Sequence, residues 1–227
     1  MRYEVFGGNF PAVTIHLERS ESIYTQSGGM TWMSDGIKMD TNMKGGLLKG
    51  IGRMLSGDSL FMANYSATGN GQYITLASSF PGNIVTLDAA KGPYICQKSA
   101  FLCAESSVTL GIHTLPGLKS GLFGGGGFIL QEVSGKGMVF LEIDGSVKEI
   151  DLAAGEKLKV NTGNVAAYEK RVKYSVEIVK GFSNILFGGE GLFLTTVEGP
   201  GKVWLQTMTL MSFAEKITPF MPFKKND

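Results

Sequence analysis

The chain has 227 residues, 43% of them hydrophobic and 18% charged, with a formal net charge of +1. That length and apolar share are enough for a sizeable core in one or two ordinary domains, and the near-neutral balance excludes the basic excess of a protein built around a polyanion. No window holds the roughly 18 apolar residues of a membrane span, and the opening MRYEVFGGNFPAV lacks the apolar run of a secretory signal.

Glycine is abundant, 32 of 227 residues, about twice the usual share of roughly 7%. These glycines punctuate β-prone runs and show no collagen period, so they read as turns and bulges of an all-β chain. In chain order, the alternating Val13-Thr-Ile-His-Leu17 is a strand, Arg19 to Tyr24 a turn followed by a strand, and Trp32 to Met39 a further β-prone stretch. Lys44 to Ser56 reads as an amphipathic helix, centred on 45–55, with Leu47, Leu48, Ile51 and Leu55 on one face and Lys49 and Arg53 opposite. Two basic residues make a poor lipid-binding face, so this helix is expected to cap one end of a sandwich. A Gly-containing corner and hairpin follow, Leu55 to Met62 and Gly69 to Leu76.

The pattern then recurs. Ala90 to Ile95, Leu102 to Leu110, a short connector Gly117 to Phe123, and the hairpin arms Phe123-Gly-Gly-Gly-Gly-Phe-Ile-Leu130 and Gly135-Lys-Gly-Met-Val-Phe-Leu141 form a second copy. Gly155 to Val160, Ala167 to Tyr174, Gly181 to Phe187, Phe187-Gly-Gly-Glu-Gly-Leu-Phe-Leu194 and Gly199-Pro-Gly-Lys-Val-Trp-Leu205 form a third. The first copy carries two extra residues in its hairpin loop. In the third, Val172, Tyr174, Val176 and Ile178 alternate with Lys173, Ser175 and Glu177, as antiparallel strands with one buried face require. Units of about 65 residues bury too little surface alone and should share a core or pack edge to edge. The expected fold is all-β: three tandem β-sandwich repeats, of short double-stranded β-helix or jelly-roll type, with pseudo-threefold internal symmetry. They span residues 1–82, 83–147 and 148–211, with a tail at 212–227 that offers a short helix through Phe213, Ala214 and Ile217, is stopped by Pro219 and Pro222, and is expected to pack as a strap on a neighbouring surface, a frayed end being the alternative.

These features resemble the altered-inheritance-of-mitochondria protein 24 family, over essentially all of residues 1–211. The residues that carry the likeness are Phe187-Gly-Gly-Glu-Gly-Leu-Phe-Leu194, Gly199-Pro-Gly201 with Trp204, and Gly28-Gly-Met-Thr-Trp-Met33. The resemblance implies three units folded like the tryptophan RNA-binding attenuation protein, and three chains closed into a homotrimeric ring of nine units. Two turns depart from the family pattern: Arg19-Ser20-Glu21 stands where relatives often have Pro-Gly-Glu, and Thr68-Gly69-Asn70-Gly71 replaces Gly-Pro-Gly.

Chemistry is sparse. His16 and His113 have no sequence-local carboxylate or nucleophile arrangement, and no nucleophile-elbow, zincin or Walker motif occurs. Gly124 to Gly127 precede a strand, not the helix that a dinucleotide loop needs, so they read as a backbone corner. Cys96 and Cys103 form neither a zinc set nor a disulfide framework and read as buried thiols in a reducing cytoplasm. The expectation is therefore a non-catalytic, ring-forming scaffold or binding protein. It has no catalytic, cofactor or metal residues, and its partner is a further copy of itself together with an unidentified protein or small ligand. Two alternatives remain: an RNA-binding ring, for which Lys136 and Lys202 are the candidate residues, and an enzyme with a cupin-like pocket.

Overall fold

A computed structural model describes residues 1–26, 29–41, 62–115, 129–179 and 192–221. The expected helix at 45–55, the connectors Gly117 to Phe123 and Gly181 to Phe187, and the Gly-rich corners at 124–127 and 188–191 lie outside these residues.

Nineteen strands occur among the described residues. After β1 (Arg2–Phe6), the first segment holds β2 (Ala12–Leu17), β3 (Ser22–Gln26), β4 (Met30–Met33), β5 (Ile37–Asp40), β6 (Met62–Ala67) and β7 (Gln72–Ala77). The second holds β8 (Gly82–Asp88), β9 (Tyr94–Gln97), β10 (Phe101–Glu105), β11 (Val108–His113), β12 (Leu130–Gly135) and β13 (Met138–Asp144). The third holds β14 (Val147–Leu152), β15 (Lys157–Asn161), β16 (Val165–Glu169), β17 (Lys173–Val179), β18 (Leu192–Glu198) and β19 (Gly201–Gln206), before α1 (Leu210–Ile217).

Alternation explains which faces are buried. In β2, Val13, Ile15 and Leu17 are buried while Thr14 and His16 are only half-buried. In β17, Tyr174 and Val176 are half-buried between exposed Lys173, Ser175 and Glu177, because successive side chains leave a strand on opposite faces.

All pairings are antiparallel, and one scheme occurs in each segment. The first and third strands flank the sixth, as in β2-β7-β4, β8-β13-β10 and β14-β19-β16. The second and fourth flank the fifth, as in β3-β6-β5, β9-β12-β11 and β15-β18-β17. A bulge interrupts the third strand at the same place each time, between Met30 and Trp32, Phe101 and Cys103, and Val165 and Ala167. Bulges of this kind pin register and add twist. The hydrogen bonds Ser20 N to Ala67 O and Gly155 N to Gly199 O align Ser20 with Gly155, one residue away from the alignment read from sequence. Register also makes the first hairpin three residues longer than the others, not two.

The cores do not respect segment boundaries. Val13, Ile15, Leu17, Ile74 and Leu76 of the first segment pack with Leu102, Cys103 and Phe140 of the second. The second segment's Leu87, Val139, Leu141 and Ile143 pack with Ala166, Ala167 and Trp204 of the third, and with Tyr24 and Met62 of the first. The third core, around Val165, Tyr168, Val197 and Val203, takes in only Ile95 and Leu130 from outside its segment among its fully buried members.

The tail begins as a helix two residues earlier than read from sequence. Thr209 and Ser212 form a capping box, which satisfies two of the backbone donors left free at a helix start. Asp144 accepts from Leu210 N at 2.9 Å, and the Phe213 ring meets Phe80 at 5.2 Å. Leu210, Met211 and Phe220 remain exposed.

Candidate functional site

Among the described residues, the histidines and cysteines that sequence singles out have the following settings. The His16 ring lies 3.2 Å from the Arg2 guanidinium and against Tyr73. Burial lowers the His113 pKa, with Glu132 opposing. Cys96 and Cys103 are fully buried; desolvation pushes the Cys96 thiol up to about 12 and Cys103 well above its ordinary value, which leaves both unreactive. Among the described residues no group of three or more His, Cys, Asp or Glu is placed to hold a metal ion, and no helix is long and apolar enough to cross a membrane.

Lys136 and Lys202 stand in matching hairpins but not at matching places. Lys136 is in the turn between β12 and β13, where Ser107 Oγ donates to its carbonyl. Lys202 lies on β19 and is paired to the Glu149 carboxylate, which raises its pKa; the other Glu149 oxygen accepts from Trp204 Nε1 at 2.9 Å. By register Lys202 corresponds to Met138, and Lys136 to Pro200.

What the fold does build is a joint, made twice. At the first, β3 pairs with β10: Thr25 opposite Cys103, Tyr24 opposite Ala104 and Ile23 opposite Glu105. At the second, β9 pairs with β16 in the same register: Cys96 opposite Ala167, Ile95 opposite Tyr168 and Tyr94 opposite Glu169. Apart from the two glutamates, both rows are buried at 6% exposure or less. The Tyr24 hydroxyl donates to Val108 O at 3.1 Å and its ring stacks on Phe101. Just beyond each row the chains meet again. Ser106 N donates to Ser22 O at 3.2 Å and the two hydroxyls are 2.5 Å apart. At the second joint Lys170 N donates to Pro93 O at 3.0 Å, and its ammonium pairs with Glu132 at 2.8 Å.

The same two strand types end the molecule. β15 is one edge of its sheet and β4 the edge of another, and neither has a further strand beside it among the described residues. β4 corresponds to β10 and β16, so Trp32 stands where Cys103 and Ala167 are buried, yet Trp32 is 47% exposed and Met33 36%. Ser34 occupies the place of Glu105 and Glu169 and does the same local work: Tyr73 N donates to Ser34 Oγ at 3.0 Å, as Lys202 N does to Glu169 at 3.1 Å and Met138 N to Glu105. On β15, Leu158 and Val160 are half-buried on the third core while Lys157 and Lys159 point outward. Lys157 and Lys173 both hold Glu198, at 3.2 and 2.7 Å, and hydrogen bonds from these lysines keep its carboxyl below the usual range.

Sequence reasoning finds these strands but not their role, since openness is a property of pairing between segments far apart in the chain. The available signal is substitution across the copies: Trp32 and Met33 where the other units have Cys103-Ala104 and Ala167-Tyr168.

The family model for mitochondrial biogenesis AIM24 matches residues 3–208. An uncharacterised protein of Streptococcus pyogenes serotype M6 is 31% identical over 225 residues, covering 96% of this chain and 89% of its own length. The crystal structure of a Streptococcus pyogenes protein is similar at a TM-score of 0.78 and 28% identity, covering 97% of this chain and 99% of that one.

Proposed function

This chain belongs to the mitochondrial biogenesis AIM24 family, and on that footing we propose that it is a non-catalytic scaffold or binding protein that joins head to tail into a ring. Three chains would present nine units, each arranged like the tryptophan RNA-binding attenuation protein. The single observation that carries this reading is that the joint made twice inside the chain leaves its two halves open at the ends. Continuing the internal register sets Val160 of one copy opposite Trp32 of the next, Lys159 opposite Met33, and Leu158 opposite Ser34. Such a contact buries the exposed Trp32 and Met33 and removes two open strand edges, which are otherwise templates for aggregation. Head-to-tail contacts either close or run on as filaments, and the family resemblance favours closure at three chains.

The contact of His16 with Arg2 and Tyr73 supports the non-catalytic reading, and the buried free thiols support a reducing, cytoplasmic compartment. The nucleic-acid alternative draws no support from Lys202, whose charge is paired with Glu149.

Native mass spectrometry is the test. The expected species has three times the 24.3 kDa chain mass, and a stable monomer at micromolar concentration overturns the reading. Register is checked separately: a Trp32→Cys, Val160→Cys double variant should give disulfide-linked oligomers under mild oxidation, and each single variant none.

A further inference from the structure

The joint between copies need not share the chemistry of the joints inside the chain, and the residues just past the paired row differ in an ordered way. At the first internal joint that contact is neutral, Ser106 against Ser22. At the second it is made by Lys170, whose backbone N–H meets Pro93 and whose ammonium meets Glu132. Carrying the register one residue past Ser34 puts Asp35 in the place of Ser106 and Lys170. On the other strand, Lys157 stands in the place of Ser22 and Pro93. Both Asp35 and Lys157 are exposed in the single chain.

We propose that Asp35 of one copy and Lys157 of the next form an ion pair that selects this chain's own head for its own tail. The inference rests on the head-to-tail reading above and adds the partner's chemistry: a second copy of the same chain, recognised by opposite charge. In the expected contact the Asp35 N–H donates to the Lys157 carbonyl, as Ser106 and Lys170 do at the internal joints, and this brings the carboxylate beside the ammonium. The groups around Lys157 favour the pairing. Glu198 is shared between Lys157 and Lys173, so Lys173 keeps Glu198 neutralised when Lys157 turns to Asp35. Opposite charges at such a place act mainly on specificity and on salt dependence, and like charges there are strongly unfavourable.

The experiment uses the full chain, with assembly measured by mass photometry and sedimentation from low to high salt, and folding of each variant checked by circular dichroism. Asp35→Lys and Lys157→Glu alone should each weaken assembly roughly tenfold or more at low salt, with the effect shrinking as salt screens it. The double variant should assemble like the parent, yet fail to mix with parent copies bearing a mass tag, because each mixed joint sets like charges together. If the parent is monomeric throughout, the head-to-tail reading itself is wrong. If the parent assembles and the single variants are unchanged, or the double variant is not rescued, assembly stands and this ion pair is overturned.

Discussion

At the scale of single residues, two side chains sit where their chemistry is poorly served. Ser20 is the one non-glycine residue with positive φ among the described residues, at 71°. Its counterpart by hydrogen bonding is Gly155, at 79°. A left-handed backbone costs a residue with a Cβ about 1–2 kcal/mol, so Ser20→Gly should raise stability by about 1 kcal/mol, read as a shift of the urea midpoint at unchanged slope. Tyr168 is buried at 2% exposure, and its hydroxyl has no hydrogen-bond partner among the described residues, although its ring stacks on Tyr174 at 5.0 Å. An unsatisfied buried hydroxyl costs about 1–3 kcal/mol, so Tyr168→Phe should stabilise the chain by about 1 kcal/mol in the same measurement. A loss of stability would mean that the hydroxyl is satisfied in solution. The need for positive φ at Ser20 shows in the sequence only through the family resemblance, which puts a glycine at that place; serine itself gives no sign of it. Glycine at Gly201 does give that sign: φ is +140° there, and an added Cβ would crowd Glu169 and Val172 at 2.9 Å.

At the scale of elements, strands were legible wherever one face is buried, because alternation of the kind seen at Val13, Ile15 and Leu17 has no helical counterpart. Register was less so. The turn at Ala89–Lys91 is a short 3-10 turn closed by Gly92, while Ser20 and Gly155 close tighter turns, so an alignment by apolar landmarks slips there by one residue. The edge strands carry the consequence that matters for function. Tyr24 and Ile95 fill the joints inside the chain, whereas the same place on β15 is held by Lys159, an exposed lysine, and lysines on an open edge keep it from pairing indiscriminately. Replacing it with the residue of the second joint, Lys159→Ile, should tighten assembly. Burying an isoleucine contributes about 1.5–3 kcal/mol, so sedimentation should show dissociation at roughly tenfold lower concentration or less. Unpaired chains of this variant should also aggregate more readily on heating. If its dissociation constant matches the parent, Lys159 does not lie at the joint.

At the scale of the whole molecule, the shared cores decide how it folds. The boundaries near residues 82 and 147 fall at the starts of β8 and β14, yet the first core is completed by Leu102, Cys103 and Phe140, which lie beyond the first boundary. Neither the edge-to-edge pairing of β3 with β10 nor the place of Phe140 in the core of Val13 and Ile15 could be read from periodicity, because both join residues distant in sequence. Phe140 is fully buried and meets the Tyr3 ring edge-on at 5.0 Å, so it ties β1 and the first core to the second segment. Phe140→Ala should therefore cost about 3–5 kcal/mol and lower the stability of both segments together. Calorimetry of the parent chain at high salt and low concentration should show one transition, with calorimetric and van't Hoff enthalpies agreeing. The variant should show the same single transition at a lower temperature. Two resolved transitions, with only one of them moved by Phe140→Ala, would mean that the units fold on their own and that the shared packing is too weak to couple them. Cooperativity also bears on assembly. A chain whose three segments fold as one holds β4 and β15 at a fixed relative angle, and that fixed angle is what would close a short head-to-tail series into a ring where a looser chain would extend as a filament.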